Sequence, residues 1–345
     1  MKALLSVKPG DPTTLAISDI PVPQPGKGQL RVRVKACGIN YPDLLVIEDK
    51  YQFKPPRPFA PGCEISGFVD AIGEGATGWQ VGDRLLAMLG SDGGLAEYAI
   101  VDAGNAIGLP DQLDLLQGAA LLFTYGTTIH ALADRGRLKP GETLLVLGAA
   151  GGVGLAAVEI GKAMGAEVVA AVSSEEKAAA AVEAGADRTM IYRRGPLDAE
   201  SMRELARSFK EAVGPTGANV IYDPVGGCYS EPALRSIAWK GRFLVVGFPA
   251  GIASLPLNLP LLKSCDVCGV FWGGFIAREP DHNRRNLEKL LDWWTQGYIC
   301  PRIDKVYPLD KGGQALARLA SRTVIGKVVV CVDGQAPCDL AEGQL

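Results

Sequence analysis

The stretch LLVLGAAGGVGLAAVEIGKAMGAEVVAAVSSEEK, Leu144 to Lys177, carries the residues whose types and spacing point most directly to chemistry. A helix that begins in a glycine turn presents unpaired backbone N–H groups and the positive end of its dipole, which together suit a pyrophosphate. Here the turn reads Gly148-Ala149-Ala150-Gly151-Gly152-Val153-Gly154. Gly151 lets the backbone approach phosphate and Gly154 lets the helix pack closely on the preceding strand, so Gly151, Gly152, Val153 and Gly154 are the expected contacts of a dinucleotide. Ala149 departs from the strict motif, which has glycine at that place.

Ser173 lies 19 residues beyond Gly154, close to the interval of roughly 20 at which an NAD site carries an acid for the ribose 2′-hydroxyl. Ser173 and Ser174 are neutral, and Lys177 adds a cation one turn on. A 2′-phosphate would be repelled by a carboxylate here and held by hydroxyls and an ammonium, so the expected coenzyme is NADPH. The same serines also suit the cap of a helix starting at Glu175, with Glu176 completing the motif. Both readings can hold together.

Such a site needs a parallel sheet to carry it, and the texture of the chain supplies one. From about residue 125 short apolar strands (TLLVLG, EVVAAVS, RTMIY, NVIYDPV, GRFLVVG) alternate with helical stretches, the pattern of a sheet covered on both faces. The first third differs. In QLRVRVKACGIN, Leu30, Val32 and Val34 alternate with Arg31, Arg33 and Lys35, and EISGFVDAIG, GDRLLAML and LAEYAIV add further short strands. The expected fold class is therefore α/β, an antiparallel β module with a doubly wound parallel sheet inserted into it. The expected domains are 1–124, completed by 265–345, and 125–264. Within the return, NRRNLEKLLDWWTQG reads as an amphipathic helix ending near Gly297, with Leu287, Leu290, Leu291 and Trp294 in the core.

Composition narrows the partners. The 345 residues carry a net charge of −3, which gives no reason to expect nucleic acid or anionic membrane as partner, since either usually needs a basic face. The longest nearly uncharged apolar run, Leu144–Val158, is broken by glycines and too short to span a bilayer. The opening MKALLSVKPGD lacks a small-residue cleavage site, so no signal peptide is expected. Eight irregularly spaced cysteines suggest reduced thiols and a cytoplasmic home.

Taken together, ACGINYPDLLVIEDKY, PRPFAPGCEISGFV, VGDRLLAM, GGLAEYAIV, FTYGTTIHAL, GAAGGVG, AGAD, DPVGG and GKVVV resemble the zinc-independent medium-chain dehydrogenase/reductases, in particular the zeta-crystallin-like quinone oxidoreductases, over nearly the whole chain. The resemblance implies a GroES-like catalytic domain, an inserted Rossmann domain, an active-site cleft between them and a homodimer joined through Rossmann edge strands. It also implies that Ser173, Lys177, Tyr192 and Arg322 surround the 2′-phosphate. The zinc enzymes of the wider superfamily bind their catalytic ion with two Cys and one His. The matching positions here are Asn40, Cys63 and, near the third, Phe123, and one thiol cannot hold a tetrahedral zinc. Cys265 and Cys268 form a lone C-x-x-C without partner ligands nearby, and His130 sits in an apolar stretch that suits a structural role. The expected site is metal-free.

Without a Lewis acid, alcohol oxidation loses its usual driving group. Reduction of an electron-poor acceptor needs only hydride from NADPH and correct orientation, so a small quinone or α,β-unsaturated carbonyl is the expected substrate. The resemblance places Asn40 and Asp43 at the cleft, Asn40 to orient a carbonyl or the nicotinamide ribose and Asp43 to brace the loop or transfer a proton. Tyr51, 11 residues after Asn40, matches the proposed proton donor of enoyl-thioester reductases, while its place before the Pro-rich KPPRPFAPG equally suits packing. Tyr41 is a further donor candidate, and Leu45 stands where some quinone reductases carry a Tyr. Thr127, Gly247 and Phe248 are expected near the nicotinamide, and Phe271 with Trp272 forms either an aromatic wall there or buried packing. Asp223 is expected to shape a turn. The rival readings are a 2-enoyl-CoA reductase of acrylyl-CoA type and a non-catalytic NADPH-binding protein.

Overall fold

In the computed structural model, which describes residues 1–90 and 92–332, the chain forms two compact units. One comprises Met1–Phe123 together with the described residues from Pro301 onward, and the other Thr124–Cys300.

The first unit opens with strands β1 (Lys2–Leu5), β2 (Ala16–Asp19), β3 (Gln29–Ile39), β4 (Glu64–Ile72), β5 (Arg84–Met88), β6 (Tyr98–Asp102) and β7 (Ile107–Gly108). The second unit supplies β8 (Thr143–Leu147), β9 (Glu167–Val172), β10 (Arg188–Ile191), β11 (Ala218–Asp223), β12 (Ile237–Val245) and β13 (Asp266–Gly269). The chain then returns to the first unit with β14 (Ile303–Pro308) and β15 (Lys327–Cys331).

In the first unit the larger sheet runs β14-β15-β3-β4-β5-β7, with β6 also on β3. Its pairs are antiparallel apart from β14 with β15. Along β3 the alternation holds: Leu30, Val32 and Val34 are buried while the charged residues between them are at least partly exposed. From Ala36 to Ile39 both faces are covered and every residue is buried. Gly38 makes that possible, because a Cβ there would stand 1.8 Å from the Ala119 carbonyl oxygen.

All pairings in the second unit's sheet are parallel, in the order β10-β9-β8-β11-β12-β13. Strands β8 and β9 read as continuous apolar runs because helices cover both faces. The strand order reverses between β8 and β11, which places the glycine turn after β8 at the topological switch point, the usual site of a ligand in such sheets.

One boundary needs correction. The first unit does not resume at residue 265, since β13 pairs in parallel with β12 from Arg242↔Asp266 to Val245↔Gly269. The helices Trp272–Arg278 and Pro280–Thr295 follow it in the second unit. Residues Asp266 to Gly269 are largely exposed on the sheet edge, so no apolar run announced a buried strand. Residues 333–345 of the expected return lie outside the described residues. In the helix Pro280–Thr295, Leu287, Leu290 and Trp294 are buried and Leu291 is half-buried. No helix among the described residues is long and apolar enough to cross a membrane, and none of the seven described cysteines is in a disulfide.

Candidate active site

The helix Gly152–Ala163 starts from Gly151 without any capping side chain. Its first turn therefore keeps backbone donors for a ligand. Gly148 turns the chain at φ +58°, and Gly154 meets it so closely that a Cβ would lie 2.2 Å from the Gly148 oxygen. At Gly151 the space is open, with the nearest atom 3.5 Å from an added Cβ. Such a close-packed turn with an open lip fits a pyrophosphate.

Strand β9 ends at Val172, and Ser173, Ser174 and Lys177 follow at partial exposure. Ser174 caps the helix Glu175–Glu183, its hydroxyl accepting the Lys177 N–H at 3.3 Å. Glu176 therefore falls one place short of closing a capping box, which corrects the expectation for that residue. Tyr192 follows β10, tied to β9 by its N–H to the Val172 oxygen. The ring is buried against Phe209 and Tyr229, and burial pushes its hydroxyl up to about 12, with the Gly148 backbone hydrogen-bonded to it. Tyr192 is thus a buried partner of the glycine turn. Arg193 and Arg194 follow Tyr192, both exposed, two cations that the tyrosine in YRRG drew attention away from. Arg322, exposed and left-handed at φ +59°, belongs to the first unit.

Because every strand of this sheet runs the same way, the residues that follow their C-terminal ends share one edge. Gly247 and Phe248 come after β12, Phe271 after β13, and both phenyl rings are about half exposed. Trp272 does not join them: its ring is buried, its indole N–H donates to Asn283 Oδ1 at 2.9 Å, and it packs on Gly126. The packing reading thus holds for Trp272, while Phe271 is left exposed at this end of the sheet. Thr127 is buried in the helix Leu122–Ile129. Asp223 accepts the Val225 and Gly226 N–H groups and the Ser230 hydroxyl, and so shapes the turn after β11.

In the first unit, register does the assembling. Gly38 of β3 pairs with Glu64 of β4, and Ile39 pairs with Val328 of β15. Three distant segments thereby bring Asn40, Glu64 and Lys327 together. The Lys327 ammonium donates to Glu64 Oε2 at 3.0 Å, to the Ile39 oxygen at 3.1 Å and to Asn40 Oδ1. Glu64 Oε2 also accepts from Asn40 Nδ2 at 2.9 Å, while Oε1 accepts the Phe123 N–H at 2.9 Å. Asn40 is thus engaged at both ends of its amide and almost wholly buried. It holds the loop and has no free group with which to orient an acceptor, a correction to its expected role. Sequence reading missed Glu64 and Lys327, although both stand in quoted landmarks, GCE and GKVVV.

Asp43 accepts the Asn40 N–H at 2.7 Å and caps the helix Tyr41–Ile47. Its carboxyl is buried, and burial pushes it up to about 7 against the pull of the Asn40 N–H and of Lys327. The Cys63 thiol hydrogen-bonds to it. Burial also raises the thiols of Cys37 and Cys63, which stay protonated. Tyr51 is part buried and packs with Val46, Ile47 and Phe59. Burial, then Cys63 and Asp43, raise its hydroxyl, so it is an acid and not a phenolate at neutral pH. Tyr41 is exposed at the helix start and Leu45 half-buried.

The positions where a catalytic zinc would be sought do converge, since Asn40, Cys63 and the Phe123 backbone all meet Glu64 or its neighbours. Their donor set does not fit the ion: one neutral thiol, one spent amide and a phenylalanine stand around an ammonium. Among the described residues no group of three or more His, Cys, Asp or Glu could hold a metal. His130 pairs with Asp134 and stacks on Phe275, a structural use.

Comparison with known proteins gives concordant matches. Residues 26–111 match the alcohol dehydrogenase GroES-like domain and residues 152–294 the zinc-binding dehydrogenase family. The chain is 38% identical over 308 residues to the quinone oxidoreductase-like protein 2 homolog of Nematostella vectensis, covering 88% of this chain and 82% of that one. It is 30% identical over 334 residues to the quinone oxidoreductase of Sus scrofa, covering 96% and 97%. The crystal structure of Escherichia coli quinone oxidoreductase complexed with NADPH superposes with a TM-score of 0.86 at 27% identity, covering 96% of this chain and all of that one.

Proposed function

The chain is an oxidoreductase that belongs to the quinone oxidoreductase family of medium-chain dehydrogenase/reductases, and from that premise we propose that it uses NADPH to reduce a quinone or an α,β-unsaturated carbonyl without a metal. One observation carries the coenzyme assignment. At the end of β9 the neutral Ser173 stands where an NAD site carries its acid, Ser174 and Lys177 follow it, and Arg193 and Arg194 lie at the end of the neighbouring strand. Those groups hold a 2′-phosphate, and the similar Escherichia coli protein was crystallised with NADPH. When bound, NADPH supplies the hydride. The turn from Gly151 to Gly154 holds the pyrophosphate, Thr127, Gly247, Phe248 and Phe271 flank the reactive ring, and Arg322 remains a further candidate for the phosphate.

Hydride addition leaves an anion on the acceptor, which must gain one proton. Tyr51 donates it from its hydroxyl, with the carboxyl of Asp43 as the buried acid behind it. A panel of quinones, enones and enoyl-CoA thioesters, followed at the reduced-coenzyme absorbance, tests the assignment. Turnover with a quinone or enone, strongly favouring NADPH over NADH, is expected; tight NADPH binding with no turnover across the panel would leave a binding protein instead. Tyr51→Phe is expected to lower kcat about 10²-fold with an enone or enoyl thioester. With a quinone the loss should be slight, because the hydroquinone oxygen takes its proton from water. The acid beside Tyr51 is also what favours an enoyl-CoA thioester as the second reading.

The proposed assembly is a homodimer through β13. Among the described residues that strand pairs on one side only, and Val267 on it, with Leu257, Leu261 and Leu262 close in sequence, is exposed. An open edge flanked by apolar side chains favours another copy of itself. Sedimentation should show a dimer that Val267→Lys shifts to monomer; an unshifted dimer would place the interface elsewhere. Described cysteines outside any disulfide fit a cytoplasmic home.

A further inference from the structure

Glu64 and Lys327 are both almost wholly buried, yet neither reaches a reacting group in the chemistry above. A buried ion pair is a weak device for stability, because desolvation consumes most of the attraction. What this pair achieves is position and charge. All three ammonium donors are spent, on the Ile39 oxygen, Asn40 Oδ1 and Glu64 Oε2, and both Glu64 oxygens are taken. Through Asn40 the network fixes the N-cap of the helix Tyr41–Ile47, and the Asn40 N–H in turn holds the Asp43 carboxylate at 2.7 Å.

The ionisable groups facing Asp43 come from every neighbouring segment: Cys37 on β3, Cys63 and Glu64 at the start of β4, Tyr51 beyond the helix, and Lys327 on β15. Among the described residues that face it, Lys327 is the one cation. We propose that Lys327, locked on Glu64, is a positioning residue that holds Asp43 in place and supplies the fixed positive charge against which the Asp43 proton is held. This inference rests on the reading of Asp43 and Tyr51 as the proton-delivering pair.

Opposite charges make opposite predictions. With an enone as acceptor and saturating NADPH, kcat for the wild type should fall as pH rises through about 7, where Asp43 loses its proton. Lys327→Met removes the attraction for the carboxylate, so the limb should move up by about one pH unit. Glu64→Gln removes a like charge, so the limb should move down by a similar amount. A role in packing alone would lower kcat at every pH in both variants and leave the limb in place, and that result, or shifts in the same direction, overturns the proposal. If Lys327→Met does not fold, Glu64→Gln decides alone: a lowered limb supports the proposal, an unmoved or raised one sinks it. Asp43→Asn separates the two levels. If the limb persists in that variant, Asp43 is not the proton source and the underlying reading fails; if it vanishes there but stays unmoved in both charge variants, only the part given to Lys327 fails.

Discussion

Ser173→Asp combined with Lys177→Ala is expected to reverse the coenzyme preference, with kcat/KM for NADPH falling about 10³-fold and NADH used at least as well as before. The double change removes a hydroxyl and an ammonium from the end of β9 and adds a carboxylate there. Two charge-assisted hydrogen bonds are worth about 1.5–3 kcal/mol each, so their loss amounts to roughly 4 kcal/mol, or about three powers of ten. Repulsion between the introduced carboxylate and the phosphate pushes in the same direction. The fold should tolerate both substitutions, because the helix keeps its cap: the Ser174 hydroxyl still accepts the backbone N–H of residue 177. Steady-state kinetics with both coenzymes decides the matter. A preference ratio that moves less than tenfold would mean that the 2′-phosphate is held elsewhere, with Arg193 and Arg194 the next residues to replace.

What could be read in advance follows from how local each feature is. The glycine turn, the parallel strands and the serines after β9 are written in one continuous stretch, and hydrophobic period and turn chemistry suffice to find them. Strand β13 failed that test. It has four residues, a mostly exposed pattern and an edge position, so its place depends on pairing with β12 and not on its own composition. The Glu64–Lys327 pair is the extreme case, since its partners lie 263 residues apart. A glutamate in GCE and a lysine in GKVVV carry no mark of each other until β3 lies between β4 and β15. Asn40 was found for its position and misjudged for its use, because the Glu64 acceptor and the Lys327 donor that engage its amide come from that same unseen pairing.

Gly151 and Gly154 divide the turn's two duties, and alanine at each should separate them. At Gly154 the added Cβ would meet backbone atoms, the Gly148 oxygen at 2.2 Å and the Ala149 carbonyl carbon at 2.8 Å, none of which can swing aside as a side chain would. The helix Gly152–Ala163 must back away from β8, a distortion of about 3 kcal/mol, which lowers Tm by about 10 °C in a unit of this size. Gly151 is different. Its backbone is extended at φ −77° and ψ 170°, and an added Cβ has no neighbour nearer than 3.5 Å. Alanine there should leave Tm unchanged or raise it slightly, since it restricts the unfolded chain. Its methyl group nonetheless stands at the uncapped N-terminus of the helix, where the proposed pyrophosphate contact needs a close backbone approach. NADPH affinity should then fall about 10³-fold, the equivalent of roughly 4 kcal/mol of charge-assisted contacts. Thermal melting and fluorescence titration with NADPH measure the two effects independently. A Gly151→Ala protein that binds NADPH as tightly as the wild type would mean that the phosphates do not sit on this turn, and the coenzyme assignment would have to be rebuilt from another part of the chain.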